Sequence, residues 1–132
     1  MTGLYDAAEA YEFAFSYRDV AGEVDSLQRW YGGRPGSVLE LAAGPADHAI
    51  EFARRGVRAA ALDRSAAMCA RARDNAAQSG VTLAVHRADM TAFTIDDHFD
   101  LAFCMIDSIA HLLTLDALVA HLSAVREHLA VP

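Results

Sequence analysis

Residues 38–46 read Val-Leu-Glu-Leu-Ala-Ala-Gly-Pro-Ala, and this stretch constrains the fold more than any other. Val38 to Leu41 form a short apolar run bounded by Pro35-Gly36 before and Gly44-Pro45 after, the pattern of a buried strand. A helix is predicted to start near Ala46, to run through Ile50, Phe52 and Ala53, and to end at Arg54-Arg55-Gly56. Two cations in the last turn and a glycine at the stop suit the negative end of a helix dipole. A strand, a tight turn and a helix N-terminus create a site for a polar ligand beyond the strand's carboxyl end. The one charge in the strand, Glu40, stands just before that turn.

The rest of the chain repeats this pattern. Arg58 to Leu62 predict a second strand ending at Asp63, and Ser65 is a good N-cap for a helix over 66–78 that Gly80 stops. Val81, Leu83 and Val85 alternate into a third strand that ends near Ala88-Asp89. Asp100 to Met105 form a fourth, apolar on both faces as in buried parallel sheets. Leu115, Leu118, Val119, Leu122, Val125 and Leu129 follow helical spacing. Alternating strands and helices imply right-handed crossovers and a parallel α/β sheet, with strand order 3-2-1-4 and a ligand crevice between strands 1 and 4. Ahead of this domain, taken as 37–132, residues 1–36 predict a helical cap, with helices over 5–17 and 19–31 closed by Gly32-Gly33-Arg34-Pro35-Gly36.

Composition excludes several function classes. Among 132 residues the net charge is −7 and no Lys/Arg block stands out, so binding to nucleic acid through phosphate neutralisation is not expected. No apolar run is long enough to cross a membrane, and a cytoplasmic location is expected. Cys69 and Cys104 lie in apolar contexts and read as free thiols. The histidines show no metal-ligand spacing, and no metal is expected. His48, in the first turn of the helix after strand 1, is expected to point outward.

The turn itself excludes one cofactor class. A dinucleotide fingerprint needs glycines at three places, which here are Ala42, Gly44 and Asp47. One glycine remains, and Asp47 would repel a phosphate, so a nicotinamide dehydrogenase is disfavoured. Acids nevertheless stand at three strand ends: Glu40, Asp63 and Asp89. Asp63 follows the glycine by about twenty residues, the spacing of ribose recognition. Three carboxylates suit a ligand with a ribose diol, an exocyclic amine and an ammonium but no phosphate, and S-adenosylmethionine has these groups.

The chain resembles the class I S-adenosylmethionine-dependent methyltransferases. VLELAAGPADHA at 38–49 is similar to the family's first motif, with Ala42 and Ala46 in place of two glycines. AALDRSAAM at 60–68 resembles the second, whose acid, here Asp63, holds the ribose; Arg64 and Met68 belong to the same segment. ADM at 88–90 matches the place where an aspartate, Asp89, receives the adenine amine and the next side chain, Met90, covers the ring. FDLAFCMIDSIAHL at 99–112, which includes Met105, and YEFAFSYRD at 11–19 resemble small-molecule members, especially aminosugar N,N-dimethyltransferases. The resemblance implies a cofactor set of Tyr11, Arg18, Glu40, Ala42, Gly44, Asp63, Arg64, Met68, Asp89, Met90 and Met105. Tyr11 and Tyr17 offer aromatic faces to the sulfonium. Tyr17 and His111 are the candidate catalytic residues, with His111 placed to orient or deprotonate the acceptor.

The implied activity is methyl transfer to an amine or hydroxyl of a small molecule, with S-adenosylhomocysteine as product. The alternative is a non-catalytic or fragmentary cofactor-binding module. Family members continue through strands 5–7, so the chain is expected to be truncated after the last helix, with a homo-oligomer covering the exposed edge of strand 4.

Overall fold

A computed structural model describes residues 18–105 and 114–130, together with Ala8 and Glu12, both helical. Helix α1 spans Val20–Tyr31 and β1 Ser37–Leu41. Then come α2 Asp47–Arg54, β2 Arg58–Asp63 and α3 Ala66–Ser79. β3 is Ala84–Arg87, β4 is Leu101–Cys104 and α4 is Leu115–Glu127. The four strands form one parallel sheet in the order β3-β2-β1-β4, as the sequence predicts.

Period-two alternation in β1 decides what each face receives. Val38 points to the face where α1, α2 and α3 supply Val24, Leu27, Ile50, Phe52, Ala72 and Ala76. Leu39 and Leu41 point to the other face, where Phe93, Phe99 and Ala124 of α4 meet them. Both faces are covered, which is why β1 is buried along its whole length. Glu40 follows the same alternation and is carried onto the α2 face. β2 is nearly all alanine there, which lets α2 and α3 approach the sheet.

Local chemistry sets the ends of the elements. Ser65 caps α3 by accepting from the Met68 amide at 3.2 Å. Gly80, at φ +67°, ends it. The amides of Gly80 and Val81 turn back to the carbonyls of Ala77 and Ala76, which satisfies the last turn. That use of the Val81 amide explains one departure from the sequence reading. The alternation from Val81 predicts a strand there, but the Val81 amide bonds back to the helix, residues 81–83 form an irregular connection, and pairing starts only at Ala84.

The outer side of β4 is not bare throughout. After α4 the chain returns beside the segment entering β4, with Phe99 N–H donating to the His128 carbonyl and Ala130 N–H to the Phe99 carbonyl, each at 2.8 Å. Phe99 and Leu129 thereby form a parallel bridge. Among the described residues no helix is long and apolar enough to cross a membrane. Both cysteines are free, as expected, Cys69 buried and Cys104 half-buried.

Replacing Ser65 with Ala should cost about 1 kcal/mol through loss of the α3 cap, and Phe52→Ala should cost about 3–5 kcal/mol through a core cavity. Urea unfolding followed by circular dichroism measures both; equal effects would show that the α2 face is not the main core.

Candidate functional site

The turn after β1 keeps the shape of a glycine-rich loop with less glycine. Ala42, Gly44 and Ala46 all adopt left-handed backbone, at φ +49°, +56° and +64°. Such angles cost an alanine roughly 1–2 kcal/mol each. The turn is held in this form by the acids predicted to matter.

Ala46, the residue before α2, offers no side-chain cap. Glu40 takes over that task from the strand: its Oε1 accepts from the Ala49 amide, in the first turn of α2, at 2.9 Å. At 3% exposure Glu40 is buried among the apolar side chains of that face. Burial pushes its carboxyl up to about 8, with the charges of Asp47 and Asp63 acting in the same direction and the Ala49 bond opposing them.

Asp63 joins two turns. Its Oδ2 accepts from the Gly44 amide at 2.9 Å and its Oδ1 from the Ser65 amide at 2.8 Å. It stays half-buried, so its carboxylate still presents lone pairs at the tip of β2. Asp89 is exposed beyond β3 and accepts from the amide and hydroxyl of Thr91 at 2.8 and 2.7 Å. The Thr91 hydroxyl bond, then the amide bond, hold its carboxyl below the usual range. The three acids thus stand at three successive strand tips, graded from buried through half-buried to exposed.

A cleft opens at the switch point beyond the carboxyl ends of β1 and β4. Its walls include Glu12, Arg18, Glu40, Ala42, Asp47, His48 and Met105. Of the predicted residues, Arg18, Glu40, Ala42 and Met105 meet here. Met90 lies outside this cleft, half-buried beyond β3 and packed against the Leu39 and Leu41 cluster. Met68 has no exposed surface and fills the core. Arg64 is exposed, and its carbonyl accepts from Arg87 Nε at 3.2 Å. Tyr11, Tyr17 and His111 lie outside the described residues.

His48 departs from expectation. It is 4% exposed rather than pointing outward, edge-on to Phe103 with ring centroids 6.5 Å apart. Phe52 meets the same ring. The signal was available: His48 and Phe52 are four residues apart and share one helix face. Nε2 of His48 lies 3.3 Å from Glu23 Oε1, and Glu23 is itself paired with Arg18. Arg18 lowers the Glu23 pKa, and burial lowers that of His48. Sequence reasoning also missed Glu12, which pairs with Arg71 and accepts from Asn75 Nδ2 at 2.9 Å, tying the N-terminal segment to α3.

A family model described as a methyltransferase domain matches residues 38–131. This chain belongs to the S-adenosylmethionine-dependent methyltransferases. The methyltransferase domain is similar to DesVI of Streptomyces venezuelae, with a TM-score of 0.80 at 23% identity over 98% of this chain and 55% of that one. The sugar N-methyltransferase KedS8 of a Streptoalloteichus species gives 0.77 at 26% identity, covering 99% of this chain and 51% of that one. The glycopeptide N-methyltransferase MtfA, complexed with S-adenosylmethionine, gives 0.74 at 28% identity over 86% and 51%. The chain therefore spans about half the length of these structures. A comparison with curated protein sequences finds no match.

The donor set fits the family's cofactor. A half-buried carboxylate at the β2 tip suits a vicinal diol, a buried acid in the cleft suits an ammonium, and the turn brings no phosphate-binding cation.

The raised pKa of Glu40 gives stability a defined pH dependence. The folded chain holds a proton there that the unfolded chain releases above about pH 4.5. Stability is therefore fully present below that pH and is lost as pH rises through about 8, at up to about 1.4 kcal/mol per pH unit. His48 acts oppositely, its contribution being lost as pH falls below its usual value. Glu40→Gln keeps an acceptor for Ala49 and removes the titration. The difference between wild-type and variant urea stabilities should grow from pH 5 to pH 8 in favour of the variant; a constant difference would rule out a protonated Glu40.

Proposed function

We propose that the chain binds S-adenosylmethionine across the tips of β1 and β2 and takes part in methyl transfer to an amine or hydroxyl of a small molecule. The observation that carries this reading is the Asp63 carboxylate, fixed by two backbone amides from two different turns. A carboxylate anchored in this way cannot swing aside, so it presents a rigid acceptor pair to a sugar diol. Glu40 lies where an ammonium would enter the cleft, and the left-handed turn at Ala42, Gly44 and Ala46 brings backbone close to the ligand. Asp89 and Met90 are assigned to the adenine edge and face. Tyr11, Arg18, Arg64, Met68 and Met105 complete the proposed cofactor set, Met68 by supporting the turn from the core.

When bound, the cofactor supplies a methyl group already activated as a sulfonium. The work left to the protein is to hold the acceptor lone pair in line and to exclude water. Alignment of this kind is worth roughly 7–11 kcal/mol, whereas one acid–base side chain contributes about a hundred- to ten-thousand-fold. Tyr17 and His111 are assigned to the acceptor side, His111 as the group that orients or deprotonates the acceptor. The sugar and glycopeptide N-methyltransferases among the similar structures favour an amine on a sugar-bearing molecule.

The alternative reading is a cofactor-binding module without turnover of its own. Transfer of a radiolabelled methyl group to aminosugar acceptors separates the two.

Asp63→Ala should weaken S-adenosylhomocysteine binding by about tenfold to a hundredfold in titration calorimetry, the loss of one or two charge-assisted hydrogen bonds. Unchanged affinity would remove the assignment. His111→Ala should leave that affinity intact and slow turnover about a hundredfold or more; an equal loss in both would place His111 in the cofactor site instead.

A further inference from the structure

His48 has a carboxyl group on each side. Its Nε2 lies 3.3 Å from Glu23 Oε1, and its Nδ1 lies 3.7 Å from Glu40 Oε2. Glu23 is held by the Arg18 guanidinium through two contacts, that from Nε at 3.0 Å. A cation, an anion, an imidazole and an acid are thus arrayed from the start of α1 to the tip of β1. The inner pair is almost dry, with side-chain exposure of 6% for His48 and 4% for Glu40.

The order of the array sets where protons sit. An ionised Glu23 only accepts hydrogen bonds, so it fixes the ring proton of His48 on Nε2. Nδ1 then faces Glu40 with a lone pair. That environment favours a Glu40 that carries a proton over one that does not.

We infer that His48 is a positioning residue that keeps Glu40 in its acid form until a cationic amino group replaces the proton, so that cofactor binding is coupled to release of one proton from Glu40 to solvent. The inference rests on the proposed cofactor site, with the ammonium of the ligand against Glu40. Charge balances across the event: the proton leaves Glu40 for bulk buffer, the ammonium enters, and the buried charge of the cleft is unchanged. Exchange of this kind avoids adding an unpaired ion to a low-dielectric pocket. The other charges facing Glu40 are Asp47 of α2 and Asp63 of β2, which favour its protonation, and Arg18, which opposes it. Glu12 lines the same cleft.

The test is calorimetric titration of the whole chain with S-adenosylhomocysteine from about pH 5.5 to 7.5, in two buffers of different ionisation enthalpy. Close to one proton should be released per ligand, and affinity should rise by up to about tenfold per pH unit. Glu40→Gln should abolish both the release and the slope. His48→Gln, which keeps a donor for Glu23 but withdraws the lone pair from Glu40, should move the rise to lower pH. A uniform loss of affinity at every pH would show that the ring only packs and would overturn its role. His48→Phe, which retains packing on Phe103, asks the same question should the first variant fail to fold by circular dichroism. Binding with no proton released overturns the coupling while leaving the cofactor site standing; no binding at any pH overturns the cofactor site itself.

Discussion

Backbone amides at the tips of β1 and β2 have donors to satisfy that their own turns do not satisfy, and two carboxylates supply the acceptors. Glu40 reaches from inside the sheet to the first turn of α2, which has no side-chain cap of its own. Asp63 reaches across to Gly44 while also closing its own turn on Ser65. An unpaired buried amide costs about 1–3 kcal/mol, so these acids are needed by the fold before any ligand arrives. The same anchoring fixes their orientation, and a fixed acceptor is what a binding site requires. Structural and functional demands therefore fall on the same atoms here.

Much of this was legible in the residues. Short apolar runs alternate with stretches of helical spacing, which gives the parallel sheet, and the rule for doubly wound sheets gives its order. Glu40 is conspicuous inside an apolar run and Asp63 at the end of one, while Asp89 gains its weight from the series. His48 was misread because a polar residue in a first helical turn usually faces water. Its spacing from Phe52 marks a shared helix face, but the ring that meets both, Phe103 of β4, comes from a distant part of the chain. The start of β3 was misread for a related reason. Val81 alternates correctly for a strand, but its amide is taken by the end of α3, and hydrogen-bond competition is invisible to hydropathy. The depth at which each acid sits also escapes the sequence, since it depends on how three turns pack together.

The cleft joins two parts of the chain that sequence alone kept separate. Residues before α1 were expected to form a cap, and Arg18 and Glu12 do reach the switch point, each held by partners in the helices around it. Arg18 holds Glu23, which lies beside His48, and Glu12 holds Arg71 and Asn75 of α3. Whatever enters the cleft meets Glu12 and Arg18 as well as residues of β1 and α2, so side chains ahead of α1 contribute to the charge of the site.

Alanine in place of glycine in the turn after β1 has a consequence for how the site meets its ligand. A glycine there would let the unfolded loop sample many more shapes, and closing it would cost more entropy. Ala42 and Ala46 reduce that freedom while accepting left-handed angles that disfavour them. The strain, roughly 1–2 kcal/mol per alanine, exceeds the entropy saved, about 0.4–1 kcal/mol, so the loop gives up some stability relative to a glycine version. What it gains is preorganisation: a stiff rim with few alternative shapes, able to discriminate sharply against a ligand of the wrong outline and poorly able to adjust to one.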